Sequence, residues 1–315
     1  MQHKYMPMNA AALMDRVFDL YKDTFKIQIA FSLIIGIISF MLMMALGVII
    51  AIGVSIAIAA SGAFDERYIL LAVVAVLIAI LPLYMVWVYL STSGHILISK
   101  QAFYGEPIEL PFRDTFSAFL RVMSAGFAQI ILSLPWLALL AVFIYSFAAG
   151  HDNLFYFLTL IHPLVIILFS LVFAVFYIIY SNIYALSIPV AIFERRLFFS
   201  TIFRSFTLLR GSFWRILCLR MLWMLLVFLF SYSAQGLVVV LVGALAVLAG
   251  NVIDFNTLWV ATGPMQFYVS LFVGILVSPM EGIMTALIYF NQKIKKDGLD
   301  IEIVLRTLRR GLGAS

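Results

Sequence analysis

Six long apolar runs, separated by short polar segments, dominate the pattern of this chain. A bilayer core about 30 Å thick needs roughly 20 apolar residues per helix, and every run reaches that length. The sequence therefore predicts an all-α, polytopic membrane protein with six transmembrane helices. The predicted spans cover residues 27–60, 68–99, 123–149, 154–193, 213–249 and 258–290.

The polar segments set the predicted domain boundaries. Residues 1–26 are expected to form an N-terminal cytoplasmic amphipathic helix, residues 27–290 the transmembrane domain, and residues 291–315 a basic cytoplasmic tail. The first apolar run begins only at Ile27 and is too long for the apolar core of a signal peptide. We therefore expect no cleaved leader.

Three short segments with helical periodicity precede the odd-numbered spans. Each has apolar, largely aromatic positions on one face and charged residues on the other, which is typical of helices that lie in the membrane interface. The interfacial helix and the hairpin after it would form a unit used three times, a threefold repeat. The apolar positions are Met14, Val17, Phe18, Tyr21 and Phe25, then Phe112, Phe116, Phe119, Leu120 and Met123, then Phe198, Ile202, Phe206, Leu209 and Phe213.

Composition excludes a soluble fold. Hydrophobic residues make up 65% of the chain and charged residues only 11%. An ordinary globular domain carries about 25% charged residues, which it needs to cover its surface. The few charges here are too sparse for that task.

The distribution of basic residues predicts the orientation. Of the 20 Lys and Arg residues, 19 fall on one side of the predicted membrane and only Arg67 on the other. The positive-inside rule then puts both termini in the cytoplasm. Basic residues concentrated on one side of a membrane face anionic lipid head groups. We therefore expect no nucleic acid as a partner.

The richest basic segment, Glu194–Arg220, lies between predicted spans four and five. With the tail, it supplies candidates for contact with lipid head groups, because cationic side chains beside a membrane attract anionic phospholipids. These candidates are Arg195, Arg196, Arg204, Arg210, Arg215, Lys293, Lys295 and Lys296.

Three polar residues inside the spans are candidates for a ligand or an ion: Glu281, Gln235 and His95. A carboxylate in lipid is costly, so Glu281 should face the bundle interior, be protonated or reach a polar partner. It is either a proton, cation or head-group contact or a structural hydrogen bond beside Pro279. A lone imidazole such as His95 is more often a hydrogen-bonded packing residue than a ligand.

Metal, cofactor and catalytic chemistry find little support in the sequence. His151, Asp152 and His162 lie close together, but a zinc site needs three or four ligands held at close range, and these fall on a turn and a helix start. An intramembrane enzyme needs a paired nucleophile and base, and we identify no such pair within the spans. We therefore predict no metal, no cofactor and no enzymatic activity.

Two runs resemble a known family. VAIFERRLFFSTIFRSFTLLRGSFWRIL and SPMEGIMTALIYFNQKIKKDGLDIEIVL are similar to the membrane domains attached to some glycerophosphodiester phosphodiesterases. The resemblance implies a stand-alone six-helix module of a bacterial or archaeal inner membrane, without the catalytic barrel. The matching residues are Glu194, Ser205, Leu209, Gly211, Phe213, Trp214 and Arg215, then Pro279, Leu287, Tyr289, Lys296, Gly298, Asp300 and Glu302.

Two functions from different classes follow from these patterns. The first is a non-enzymatic membrane protein that binds or organises lipid, or anchors a membrane partner complex. The alternative is a transporter, or the subunit of a transporter that works with an ATPase, using Glu281 inside the bundle. A homo-oligomer and a complex with another membrane protein are equally compatible with the small-residue faces of the spans.

The predicted orientation is testable with reporter fusions. Tags placed after Arg67, Asn153 and Asn251 should report from outside the cell, because each follows an odd-numbered span that starts in the cytoplasm. Tags at either terminus should report from inside. A reporter after any of the three residues that is found in the cytoplasm would require a different layout.

Overall fold

All regular structure in the described part of the chain is helical. The computed structural model describes residues 7–61, 66–148, 163–248 and 255–299. The segment with His151, Asp152 and His162 lies outside these residues, as does most of the predicted basic tail. The helices are α1 Ala10–Ser61, α2 Glu66–Tyr104, α3 Phe112–Ala148, α4 Pro163–Ser181, α5 Ser187–Phe193, α6 Phe199–Leu209, α7 Phe213–Leu248 and α8 Phe255–Asp297, with a 3₁₀ turn at Asn182–Tyr184.

Within the described ranges, five segments are long and apolar enough to cross a membrane, which agrees with a multi-pass helical membrane protein. They are Ala10–Ile50, Phe112–Trp136, Ser170–Phe193, Phe213–Leu248 and Tyr268–Asp297. A sixth span would have to come from α2, so the count of six stays a prediction. The orientation of the termini and the threefold repeat stay predictions as well.

The first two predicted interfacial segments are continuous with the spans that follow them. Helix α1 runs without a break from Ala10 through predicted span one, and α3 runs from Phe112 through predicted span three. Neither junction contains a proline or glycine, so the helical hydrogen-bond ladder continues across it. Among the described residues only α6 is a separate amphipathic helix.

Predicted span four is interrupted in the structure. Helix α4 ends at Ser181, a 3₁₀ turn follows, and α5 begins at Ser187. Pro189 explains the break, because a proline has no N–H for a bond to the fourth preceding carbonyl. In the first turn of α5 that missing donor costs nothing, since first-turn N–H groups have no helical partner.

Contacts divide the chain into two compact units. The first unit contains residues 118–217 and 288–299, and the second contains residues 8–117 and 218–287, among the described residues. In the second unit α1 packs along α2. Its core is formed by Phe31, Ile35 and Ile98.

In the first unit, α6 packs against the interruption of span four. The Ser205 hydroxyl donates to the carbonyl of Ile183 at 2.9 Å and accepts from the N–H of Leu186 at 3.1 Å. Both groups would otherwise lack helical partners, and an unpaired buried backbone group costs about 1–3 kcal/mol. One buried serine on α6 therefore stabilises the break.

Close packing of α1 on α2 predicts a strong effect of one added methyl group. A Cβ at Gly94 would fall 2.0 Å from Cζ of the buried Phe31 ring. We expect Gly94→Ala to lower the free energy of unfolding by about 1–3 kcal/mol, as overpacking does. Thermal unfolding in detergent measures the change.

Gly36→Ala is the matched control, because a Cβ there meets nothing within 4 Å. Its stability should be unchanged or slightly raised, since alanine favours helix by about 0.5–1 kcal/mol over glycine. Equal stability of the two variants would contradict the packing described here.

Candidate functional site

Glu194 is the centre of an ion-pair network in the first unit. The Nε of Arg204 lies 3.1 and 2.9 Å from its two carboxylate oxygens, and Arg204 also pairs with Asp297. Arg196 approaches the same carboxylate at 3.2 Å from an exposed position. Tyr289 donates its hydroxyl to Glu194 at 3.2 Å. The network therefore joins α6 to the end of α8.

The charge state of Arg204 follows from these partners. Burial lowers the pKa of Arg204, but the hydrogen bonds and charge of Glu194, with the charge of Asp297, outweigh it and raise the pKa above its usual value. The guanidinium therefore stays charged at every physiological pH. Arg204 therefore serves the ion-pair network.

The segment that leads into α6 has an unusual backbone. Arg195 and Phe198 have φ angles of 55° and 47°, in the left-handed region that L-residues seldom adopt. Surrounding contacts hold this conformation: the N–H of Phe198 donates to the Ser124 hydroxyl at 3.3 Å, and its carbonyl accepts from the Thr201 hydroxyl at 2.6 Å.

Two lysines near the end of α8 also have structural partners. Lys293 donates to the Tyr289 hydroxyl at 3.3 Å. Lys296 donates to the carbonyls of Thr207 and Arg210 at 2.5 and 2.6 Å. A cation at the last carbonyls of a helix satisfies orphan acceptors and complements the helix dipole. Lys296 thereby caps the C-terminus of α6.

The remaining basic candidates lie on the surface of the first unit. Arg195, Arg210 and Arg215 are exposed and pair with no carboxylate among the described residues, and Lys295 is exposed as well. The eight predicted head-group contacts thus separate into Arg204, Lys293 and Lys296, which hold the structure together, Arg196 at the edge of the network, and these four surface cations.

Helix α6 turns its aromatic side chains outward. Phe199, Phe203 and Phe206 are exposed, with Phe203 at 71%, whereas Thr201 and Ser205 are fully buried. The predicted apolar stripe is therefore split, because Ile202 and Leu209 face the protein and Phe206 does not. Such an arrangement is unfavourable in water and suits a helix whose outer surface contacts lipid.

The same burial pattern recurs at the starts of α1 and α3. Thr24 is buried in α1 while Phe18 and Phe25 are exposed. Thr115 is buried in α3 while Phe116 is exposed. A small polar residue inside and aromatic residues outside is therefore a common feature of the three segments, and it is compatible with the predicted repeat.

His95 lies at the centre of a buried polar cluster in the second unit. Its Nδ1 is 2.5 Å from Oε1 of Gln28, and its Nε2 is 3.1 Å from the Ser32 hydroxyl and 3.2 Å from the Ser91 hydroxyl. Because an amide oxygen only accepts, Nδ1 carries a proton. Gly282 lies against the ring, where a Cβ would come within 2.4 Å of His95 Cβ.

The hydroxyl of Ser32 and the imidazole of His95 lie within hydrogen-bond distance, a pair that was not identified from the sequence. Ser32, His95 and Gln28 have the order of a nucleophile, a base and an orienting group. Nevertheless, the His95 side chain is fully buried and two serines share one ring nitrogen. The neighbouring helical N–H groups are engaged in the helix and cannot form an oxyanion hole. The geometry of the His95 cluster supports a role in packing and helix association.

The other two intramembrane candidates, Glu281 and Gln235, lie in different surroundings. The Glu281 side chain is exposed and has no hydrogen bond or ion pair within the described ranges, rather than facing the bundle interior. The reason is helical phase, because Pro279, Gly282 and Ile283 occupy the buried face of α8. Gln235 donates to the Ser270 hydroxyl at 2.9 Å, which links α7 to α8.

Comparisons with known proteins gave no match to this chain. No protein-family model, no curated protein and no solved structure matches the chain. The resemblance to membrane domains attached to glycerophosphodiester phosphodiesterases therefore stays a prediction.

Gln28 was missed from the sequence, because a single amide gives no pattern. Ser205, Gln28 and Ser32 carry the interhelical hydrogen bonds, and of these Ser205 was named, as a residue of the family resemblance. Ser205 offered one signal, since it is the polar residue opposite the aromatic positions of α6. The pairing of Arg204 with Asp297 joins residues 93 positions apart and leaves no local pattern.

The Glu194 network predicts a specific loss of stability. Glu194→Gln removes the charge that Arg204 and Arg196 share, so we expect the free energy of unfolding to fall by about 1–3 kcal/mol, the range for hydrogen bonds to charged groups. Denaturant or thermal unfolding in detergent measures the loss.

The control is Glu106→Gln, which removes an exposed carboxylate between α2 and α3. Surface changes of this kind usually stay within about 0.5 kcal/mol. The network would have no structural role if the two variants were equally stable.

Proposed function

We propose that this chain is a non-enzymatic integral membrane protein that binds or organises anionic lipid on its cytoplasmic side. The observation that carries the proposal is the exposed aromatic surface of α6, with exposed arginines at both ends. Arg195 and Arg196 precede the helix, and Arg210 and Arg215 follow it. We call Phe199, Phe203 and Phe206 with these arginines the α6 surface.

Physical chemistry favours lipid as the partner of the α6 surface. Phenylalanine side chains gain free energy on leaving water, and they enter the boundary between head groups and acyl chains from an interfacial helix. Each Lys or Arg near an anionic leaflet adds about 1 kcal/mol of attraction. Since α6 follows a candidate span directly, its insertion would need no further anchor. The resemblance to an inner-membrane module is compatible with this role, and the same surface would serve a membrane partner complex.

A nitroxide scan tests the proposed insertion of α6. A spin label is attached at Phe203→Cys or at Ser200→Cys, in a Cys218→Ser background that removes the native thiol. In vesicles of phosphatidylcholine and phosphatidylglycerol, we expect position 203 to be more accessible to oxygen and less accessible to a water-soluble nickel complex than position 200, since Phe203 occupies the middle of the aromatic stripe.

Anionic lipid should increase this difference. Vesicles of phosphatidylcholine alone lack the charge that attracts the flanking arginines, so position 203 should lie shallower in them. Equal accessibility of both positions in both kinds of vesicle would argue against a lipid-binding role for α6.

A second candidate function, transport, is favoured by the buried cluster around His95. Gln28 has an amide nitrogen that is fully buried and has no hydrogen-bond partner among the described residues. Unpaired polar groups inside a helical membrane protein are costly and often line ion or proton pathways. Proton-coupled uptake into proteoliposomes that disappears in Glu281→Gln or His95→Gln would favour a transporter over the lipid-binding protein.

A further inference from the structure

Glu281 lies at an opening in a closely packed part of α8. Within residues 279–287 of the second unit, Glu281 is the one exposed residue, and the other eight are buried or half-buried. Packing therefore encloses most of the circumference of the helix at this level. The carboxylate of Glu281 occupies the side that stays open.

The opening lies deep in a candidate membrane span. Glu281 is near the middle of Tyr268–Asp297, 13 residues from its start and 16 from its end. At 1.5 Å per residue, the nearer end is about 20 Å away along the helix axis. A carboxylate exposed to hydrocarbon at that depth is costly and requires a polar partner. The described residues leave this requirement unmet, because Glu281 makes no hydrogen bond or ion pair with any of them.

The same face of α8 is open to the close approach of another helix. Gly274 lies seven residues, or about two helical turns, before Glu281 and therefore on the same face. Gly274 is exposed, and a Cβ there would meet nothing within 4 Å. Because membrane helices approach each other closely at small residues, this face would admit a second helix beside Glu281.

A lipid head group and a second copy of the chain fit this face less well. Head groups lie outside the hydrocarbon core, whereas the carboxylate is about 20 Å from the nearer end of the span. Two copies in the same orientation that met through this face would place Glu281 opposite its own equivalent. Two carboxylates at short range repel each other. Charge complementarity instead calls for a positive side chain at the same depth.

We propose that this face of α8, with Glu281 at its centre and Gly274 beside it, binds a transmembrane helix of a partner protein that carries a lysine or arginine at the middle of its span. Pairing neutralises two groups that are each costly in hydrocarbon, which is why ionisable residues inside membranes are usually paired. The proposal is independent of lipid binding by the α6 surface, because the two surfaces belong to different helices.

A designed peptide is the probe for this surface. It is a leucine-rich, single-span helix with lysine at its central position, which has the same depth in either orientation, and an acceptor dye at one end. The full chain carries a donor dye on Cys218, its one cysteine, which is exposed. In phosphatidylcholine vesicles, energy transfer should show association with this peptide. A peptide with leucine at the centre should associate about tenfold more weakly, because it lacks the charge.

Substitutions of Glu281 test the charge pair. Glu281→Gln should weaken association with the lysine peptide about tenfold or more, because the amide keeps the shape and removes the charge. Glu281→Lys should instead bind a peptide with glutamate at its centre, since the exchange of charges restores the pair. Glu106→Gln removes an exposed carboxylate outside the candidate spans and should stay within about twofold of the unmodified protein. Unfolding temperatures check that each variant folds.

A steric variant tests the face itself. Gly274→Leu should weaken association with the lysine peptide, because a larger side chain keeps the two helices apart. The matched control is Gly53→Leu in α1, since that glycine is also exposed and a Cβ there meets nothing within 4 Å. The control should associate as the unmodified protein does.

Three results would contradict the proposal. One is equal association of the lysine and leucine peptides. Another is energy transfer between two labelled copies of the chain that is lost in Glu281→Gln, since it would identify a second copy as the occupant. The third is displacement of the lysine peptide by phosphatidylethanolamine, which would assign the face to a lipid amine. None of these results bears on the accessibility of position 203, so lipid binding by the α6 surface is tested separately.

Discussion

The structure depends on pairing the backbone groups that a broken helix would otherwise leave unsatisfied in apolar surroundings. In lipid there is no water to complete a hydrogen bond, so a broken helix is tolerated only where side chains replace the missing partners. The interruption after α4 meets this condition through Ser205, which pairs with a carbonyl and an N–H on either side of the break. The burial of the α6 face that carries Ser205 follows from this requirement, and its aromatic face is left outside.

The basic residues have two different roles, which their number and sign alone do not distinguish. Two of them make contacts inside the first unit. Arg204 pairs with carboxylates, and Lys296 donates to carbonyls at the end of a helix. These contacts fix the ends of α6.

The intramembrane polar groups show how one contact can decide the role of a residue. His95 was expected to be a hydrogen-bonded packing residue or a ligand, and its bonds to Gln28 and Ser32 give it a set of partners that fits packing. Glu281 was the stronger functional candidate by charge, yet its side chain is exposed and unpartnered within the described residues. The sequence favoured Glu281 over His95 as a functional residue, whereas in the structure His95 is the buried residue and Glu281 the exposed one.

The sequence by itself determined the all-helical class and the long apolar helices, because the length of an apolar run is a local property. Glycine also acts locally: Gly298 follows α8 with a positive φ of 66°, which glycine adopts without the steric cost of a Cβ. Only the tertiary structure decided which face of α6 is buried, which arginines stay available and what surrounds His95. Those outcomes depend on partners distant in sequence, and a periodic pattern indicates that a helix has two faces without indicating what each face meets.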